Sequence, residues 1–352
     1  MQYMNWREAG GHAKKGASAR HPHSHSMDIL TAIQSNLLSP AVLFFVLGVF
    51  AAVSKSDLKF PEALYSTLTI YLLTAIGFKG GVAINEAGIG VVWLPALAAM
   101  ALGCLIPLWT YPCLRKLGRL SMTDAGAIAA HYGSVSAVTF IAATNFLKGI
   151  NQSYETYASA FLAVMESPAI IVGVMLGKGA LGGRFSLADK GVRHALRDAV
   201  LGKGVLLLIG AMIIGALCGK RGMTAVEGFF VTPFQGVLAL FLLEMGMVAG
   251  RRLSDLRTVG VFLLLFGITA PVIHGSLGVL LGCWVGMSVG GATLLGVLAG
   301  SASYIAAPAA VRLALPEANP TYSLTAALAV TFPFNITLGI PLFFELAKII
   351  HP

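Results

Sequence analysis

The sequence predicts an all-α polytopic membrane protein of ten transmembrane helices in two inverted five-helix repeats, and three observations carry that prediction. Of 352 residues, 57% are hydrophobic and only 11% are charged, against roughly a quarter charged in soluble domains. A chain this poor in charge cannot cover a water-facing surface, so most of its exterior faces lipid. The apolar residues also gather into runs long enough to cross a bilayer, about 20 residues each. Finally, motifs of the first five runs recur in the same order in the last five.

Other classes fall away on the same numbers. The net charge of +9 is spread over short loops and forms no basic face, which excludes a nucleic-acid binder. Cys104, Cys113, Cys218 and Cys283 lie in apolar stretches and read as small packing residues rather than a disulfide or metal site. There is no H-E-x-x-H, no G-x-S-x-G and no His, Cys and carboxylate set at metal-ligand spacing. An intramembrane enzyme is therefore disfavoured, with no catalytic residue, transition metal or cofactor expected.

Residues 1–26 read as a disordered His-rich tail carrying His12, His21, His23 and His25, and Met27 is a candidate start. No apolar run or cleavage site marks this tail as a signal peptide. From Met27 the spans fall near 37–54, 63–84, 89–113, 122–147, 157–177, 204–219, 231–250, 259–285, 291–315 and 322–350, separated by charges, prolines and glycine clusters. The sixth is short. With the N-terminus outside, the inner loops take fifteen basic residues, from Lys55 and Lys59 to Arg312, and the outer loops only Lys148, Lys220, Arg221 and Lys348. That positive-inside bias places both termini outside.

The longest polar segment, 178–203, is a basic cytoplasmic linker between a first half at 27–177 and a second at 204–352. The halves match run by run. Gly133-Ser134-Val135-Ser136-Ala137 in the fourth span answers Gly300-Ser301-Ala302-Ser303 in the ninth, 167 positions later. Gly77 and Gly81 answer Gly246 and Gly250, Pro107 answers Pro271, and Pro168 answers Pro333, all at offsets between 164 and 169. Five spans per half turn the second half upside down, the sequence signature of a secondary transporter.

Glycine and serine in mid-span make poor uninterrupted helix, so spans four and nine are expected to break and cross near the midplane. Half-helix N-termini offer free N–H groups and positive dipole ends, and Ser134, Ser136, Ser301 and Ser303 add hydroxyls. The inferred substrate is a small anion, held by residues 133–137 and 300–303. The competing reading is that these small residues only permit close helix packing. A cation needs oxygen ligands, and Thr331-Phe332-Pro333-Phe334-Asn335 supplies side-chain oxygens beside a carbonyl that proline leaves unpaired, with Thr139 and Thr144 in reach. Of the intramembrane ionisable residues, Glu244 is the strongest candidate to touch ion or substrate, and Glu166, two residues before Pro168, is expected in the same cavity. Lys79 is either an accessory site residue or snorkels to the headgroups, and His131 and His274 read as satisfied packing residues. Moving one anion into a negative interior costs roughly 2.3 kcal/mol per 100 mV, a term that one accompanying Na⁺ cancels. Serine-built breaks without carboxylate chains favour Na⁺ over H⁺ as the coupling ion.

The stretches Ile76–Gly81, His131–Phe140, Pro168–Gly173, Thr331–Asn335 and, most specifically, Ser303–Ala310 with Arg312–Pro320 resemble the sodium-dependent bicarbonate transporter family known from cyanobacteria. The resemblance runs from about Ser35 to Phe344. It implies a bacterial inner-membrane symporter whose serine breaks hold bicarbonate, with Na⁺ ligated nearby through Thr331 and Asn335. It further implies a homotrimer, a gate from the first two helices of each half, a core from the other three, and an elevator-like slide between them. A cytoplasmic PII-like protein is the implied regulator. Two alternatives stay open: a transporter of another small anion such as a monocarboxylate, and an anion channel.

Overall fold

The computed structural model describes residues 34, 36–179, 193, 197 and 201–351. The tail at 1–26 and most of the 178–203 linker lie outside the described residues. Among the described residues the regular structure is entirely helical, and seven helical runs are long and apolar enough to cross a membrane. Two further apolar helices, Pro40–Val53 and Val289–Ala299, are shorter.

In chain order the helices are α1 (Pro40–Val53), α2 (Glu62–Ala87), α3 (Ile89–Lys116), α4 (Met122–Gly133), α5 (Ala137–Gly149), α6 (Ala160–Gly177) and α7 (Lys203–Phe230). Then come α8 (Phe234–Arg252), α9 (Leu256–Trp284), α10 (Val289–Ala299), α11 (Ala307–Ala314) and α12 (Pro320–Ile350). Polarity is inverted relative to a soluble protein. Phe50, Leu217, Leu265 and Trp284 are exposed, whereas Ser134, Ser136, Thr139, Ser301, Ser303, Thr331 and Asn335 are buried. Lipid tolerates the first group, and only an interior full of partners tolerates the second.

Both serine stretches interrupt their spans. The chain leaves helix between Gly133 and Ala137, where Ser136 takes extended φ/ψ and caps α5, its hydroxyl accepting from Thr139 N. It leaves helix again between Ala299 and Ala307. Span six, expected over 204–219, ends its regular helix at Gly219, whose φ 57° and ψ −155° are not helical, and a second helical stretch runs on to Phe230. Spans seven and eight follow end to end as α8 and α9, joined by a 3₁₀ turn at Leu253–Asp255. In α12, π-helical turns at Ala326–Thr331 and Asn335–Gly339 flank Pro333, which cannot donate its place in an α-helical ladder.

Two helix pairs form the most extensive contacts, α2 on α7 and α1 on α8. Glycine sets both. A methyl group at Gly77 or Gly81 would strike the Leu208 or Met212 carbonyl of α7, and one at Gly246 would strike the Phe45 carbonyl of α1. The G-x-x-x-G motifs thus bring backbones into direct contact. Elsewhere α3 and α4 pack on α6, and α9 packs on α10.

Candidate functional site

The two breaks meet. Ser136 N donates to Ser301 Oγ at 2.9 Å, and Ser303 N donates to the His131 carbonyl at 2.8 Å. Each interrupted helix therefore lends the other the partners its own broken ladder has lost. The crossing is tied further by Ser301 Oγ donating to Leu298 O at 2.8 Å, Thr139 Oγ1 donating to Ser136 Oγ at 2.8 Å and Ala307 N donating to Ser303 Oγ at 3.2 Å. Gly133 lies so close to the Pro107 ring, and Gly300 so close to the Pro271 carbonyl, that a side chain at either would displace its neighbour. Val135, Ala137 and Ala302 complete the crossing without polar contacts of their own side chains.

Helix α12 lies beside it. The Asn335 amide donates to Gly300 O at 2.8 Å. Thr331 Oγ1 donates to Gly267 O at 2.7 Å and sits 2.7 Å from the Tyr132 hydroxyl. Phe332 packs its edge on the Phe45 and Tyr304 rings. Two buried oxygens near these contacts, Ser134 Oγ and Asn335 Oδ1, have no hydrogen-bond partner among the described residues. A buried acceptor left unpaired costs about 1–3 kcal/mol, so both are fitted to an added donor or cation.

Against the crossing lies a cavity of about 20 Å³, bordered by Ser136, Glu166 and Tyr304 on one side and by Leu73, Gly204 and Leu208 of α2 and α7 on the other. That space holds about one water. It adjoins a cavity of about 420 Å³ at the start of α7, lined by Tyr65, Thr69 and Lys203, with which it shares Leu73, Gly204, Ile305 and Ala306. Another, of about 290 Å³, places Glu244 beside Tyr65, Arg252 and Tyr304.

The predicted residues therefore divide. The serines, Thr139, Thr331 and Asn335 come together. Glu244 lies on α8 and lines a cavity that includes neither Thr331 nor Asn335, with Oε2 unpartnered among the described residues. Glu166 and Glu244 do not share a cavity as expected, because Tyr304 stands between their two spaces. Thr144 lies away from the ligand set, donating to Ile141 O at 2.8 Å and lining a cavity at the opposite face with Lys79. The histidines are buried but only half satisfied: His131 Nδ1 is 2.7 Å from Ala127 O and His274 Nε2 is 3.4 Å from Thr110 Oγ1, while His131 Nε2 and His274 Nδ1 have no partner among the described residues. Tyr132 and Tyr304 were not singled out in the sequence. Their signal was there, since a tyrosine in mid-span needs a partner for its hydroxyl.

Fold and site define a membrane-helical protein with two broken helices crossed over a polar centre, the build of a secondary transporter. The family model of the Na⁺-dependent bicarbonate transporter superfamily matches residues 40–348, and the chain belongs to that family. No curated protein matches it.

Proposed function

We propose that the chain imports bicarbonate together with Na⁺, by sliding the body that carries the crossing against the α1, α2, α7 and α8 body. The observation that carries this reading is the crossing itself: hydroxyls and backbone amides converge there, two buried oxygens are left over, and the adjoining cavity is bounded by the second body. A water-sized space favours a very small substrate, and it must widen to take one, which a slide of one body along the other achieves. In this reading bicarbonate lies against Ser136 and Ser303. Na⁺ takes Asn335 Oδ1 and Ser134 Oγ, with the remaining lone pair of Thr331.

Ten crossings in two inverted halves are part of the proposal, and contact symmetry supports them. Gly77 and Gly81 seat α2 on α7, the first helix of the other half, and Gly246 seats α8 on α1, the first helix of its other half. Pro107 touches Gly133, and Pro271 touches Gly300. Thr110 and His274, 164 positions apart, touch each other, as residues do on a two-fold axis. The cavities follow suit. Ile76, Lys79 and Ala83 line the far-side cavity, and Met245, Val248 and Arg252, each 169 positions later, line the linker-side one. We also propose a homotrimer and regulation by a cytoplasmic PII-like partner, which native mass measurement and co-purification test.

Uptake of labelled bicarbonate into proteoliposomes, with and without an inward Na⁺ gradient, tests the core of the reading. Na⁺-dependent uptake that unlabelled bicarbonate suppresses and other anions do not is expected. Folded protein that gives no such uptake sinks it, and large Na⁺-independent currents would make it a channel instead.

A further inference from the structure

The face opposite the linker holds a cavity of about 420 Å³ whose charges do not balance. Lys79 reaches into it from α2 and Lys148 from the end of α5. Lys79 lies eight residues before the end of α2, about 12 Å along the axis. Its ammonium does not run out to the surface but folds onto the Phe234 ring, with Nζ 4.0 Å from the centroid. No carboxylate among the described residues forms an ion pair with it. The cavity has two acids: Glu86 is engaged by Lys220 at 3.7 Å, and Glu227 is exposed. Three lysines, Lys79, Lys148 and Lys220, thus share the cavity with two glutamates, and Lys79 and Lys148 repel across it. Thr144 and Tyr154 line the same space with hydroxyls, and burial pushes the Tyr154 phenol above its ordinary value, so it stays a neutral donor.

We infer that this vestibule is a second anion site, separate from the serine crossing, which takes a small oxyanion between Lys79 and Lys148. The pair belongs to two different bodies: Lys79 rides on α2, which packs against α7, and Lys148 ends the half-helix that Ser136 begins. Under the slide proposed above, on which this clause alone rests, the two lysines part when the crossing moves. The vestibule then binds the anion in one arrangement and releases it in the other. Its role is capture from the far side, where a local positive potential raises the anion concentration before the crossing is reached.

Lysine acetylation by a neutral succinimidyl ester, read residue by residue by mass spectrometry on the full chain in nanodiscs, tests the site without transport. At fixed pH and ionic strength, bicarbonate is expected to slow Lys79 acetylation by roughly three- to fivefold, the scale of a partly exposed charge contact. The exposed Lys116 is expected to be unaffected. Lys148→Gln, at an exposed position that folding does not use, removes the protection, and Lys148→Arg keeps it. Ser136→Leu keeps the protection while losing uptake. Equal acetylation of Lys79 with and without bicarbonate in the unmodified chain overturns the inference, whatever uptake shows. Protection without any uptake keeps the vestibule and removes the transport reading.

Discussion

Hydroxyls in a lipid-facing chain are held by partners or they are costly, and at the crossing each has a distinct task. Ser136 caps α5 through Thr139 N and also receives the Thr139 hydroxyl. Ser136→Ala should lower stability by about 1 kcal/mol through the lost cap, whereas Ser136→Leu also fills the adjoining water-sized cavity and should abolish uptake. Thermal melts set beside uptake separate the two effects, and normal uptake by folded Ser136→Leu places the substrate elsewhere. Asn335 does two things: its amide holds Gly300 O, and its oxygen is spare. Asn335→Ala should raise the Na⁺ concentration for half-maximal uptake by roughly tenfold, equivalent to 1.4 kcal/mol of lost coordination. An unchanged Na⁺ dependence removes Asn335 from the ligand set. The serine, threonine and asparagine positions were legible in the sequence because polar residues in apolar spans are few and each demands a reason. Their partners were not. That Ser303 N would reach the His131 carbonyl, leaving Ser134 Oγ unpaired, depends on how two distant half-helices cross, and no local pattern encodes it.

Helices in this protein are matched by glycine, which makes their packing testable within one element. In α7, a methyl group at Gly210 meets open space, while one at Gly215 strikes the Phe78 carbonyl of α2. Gly210→Ala should be neutral or stabilising by about 0.4–1 kcal/mol. Gly215→Ala forces α2 and α7 apart and should cost about 1–3 kcal/mol, as overpacking does. Melting temperatures of the two variants should move apart, and equal values would mean that the contact yields freely. The breaks in spans four and nine were readable because Gly-Ser-x-Ser is poor helix, and the irregular helix around Pro333 because proline removes a donor. The stop at Gly219 was readable too, but the second helical stretch beyond it, which carries Lys220, Arg221 and Glu227 on to Phe230, was not.

At the scale of the whole molecule, the cavities are unequal in how near they come to the crossing. On the linker side, the cavity lined by Thr69 shares four residues with the water-sized space at Ser136, and the one holding Glu244 reaches Tyr304. On the far side, the cavity stops at Phe140, Ile141 and Thr144, short of the serines. The crossing therefore lies nearer to the linker-side cavities than to the far-side one. A moving-body transporter must visit the converse state, in which the far-side cavity extends to Ser136 and the linker-side one closes. Single cysteines report on this in a background lacking Cys104, Cys113, Cys218 and Cys283, all of which are free thiols. Ser66→Cys, half-buried in the linker-side cavity, should react quickly with a membrane-impermeant thiol reagent applied from the linker face, and the buried Phe140→Cys slowly from the far face. Conditions that favour the converse state should slow the first and speed the second together, because one rigid displacement controls both. Reactivity at the two positions that changes independently would mean that each cavity has a gate of its own, and that the crossing does not move as a body.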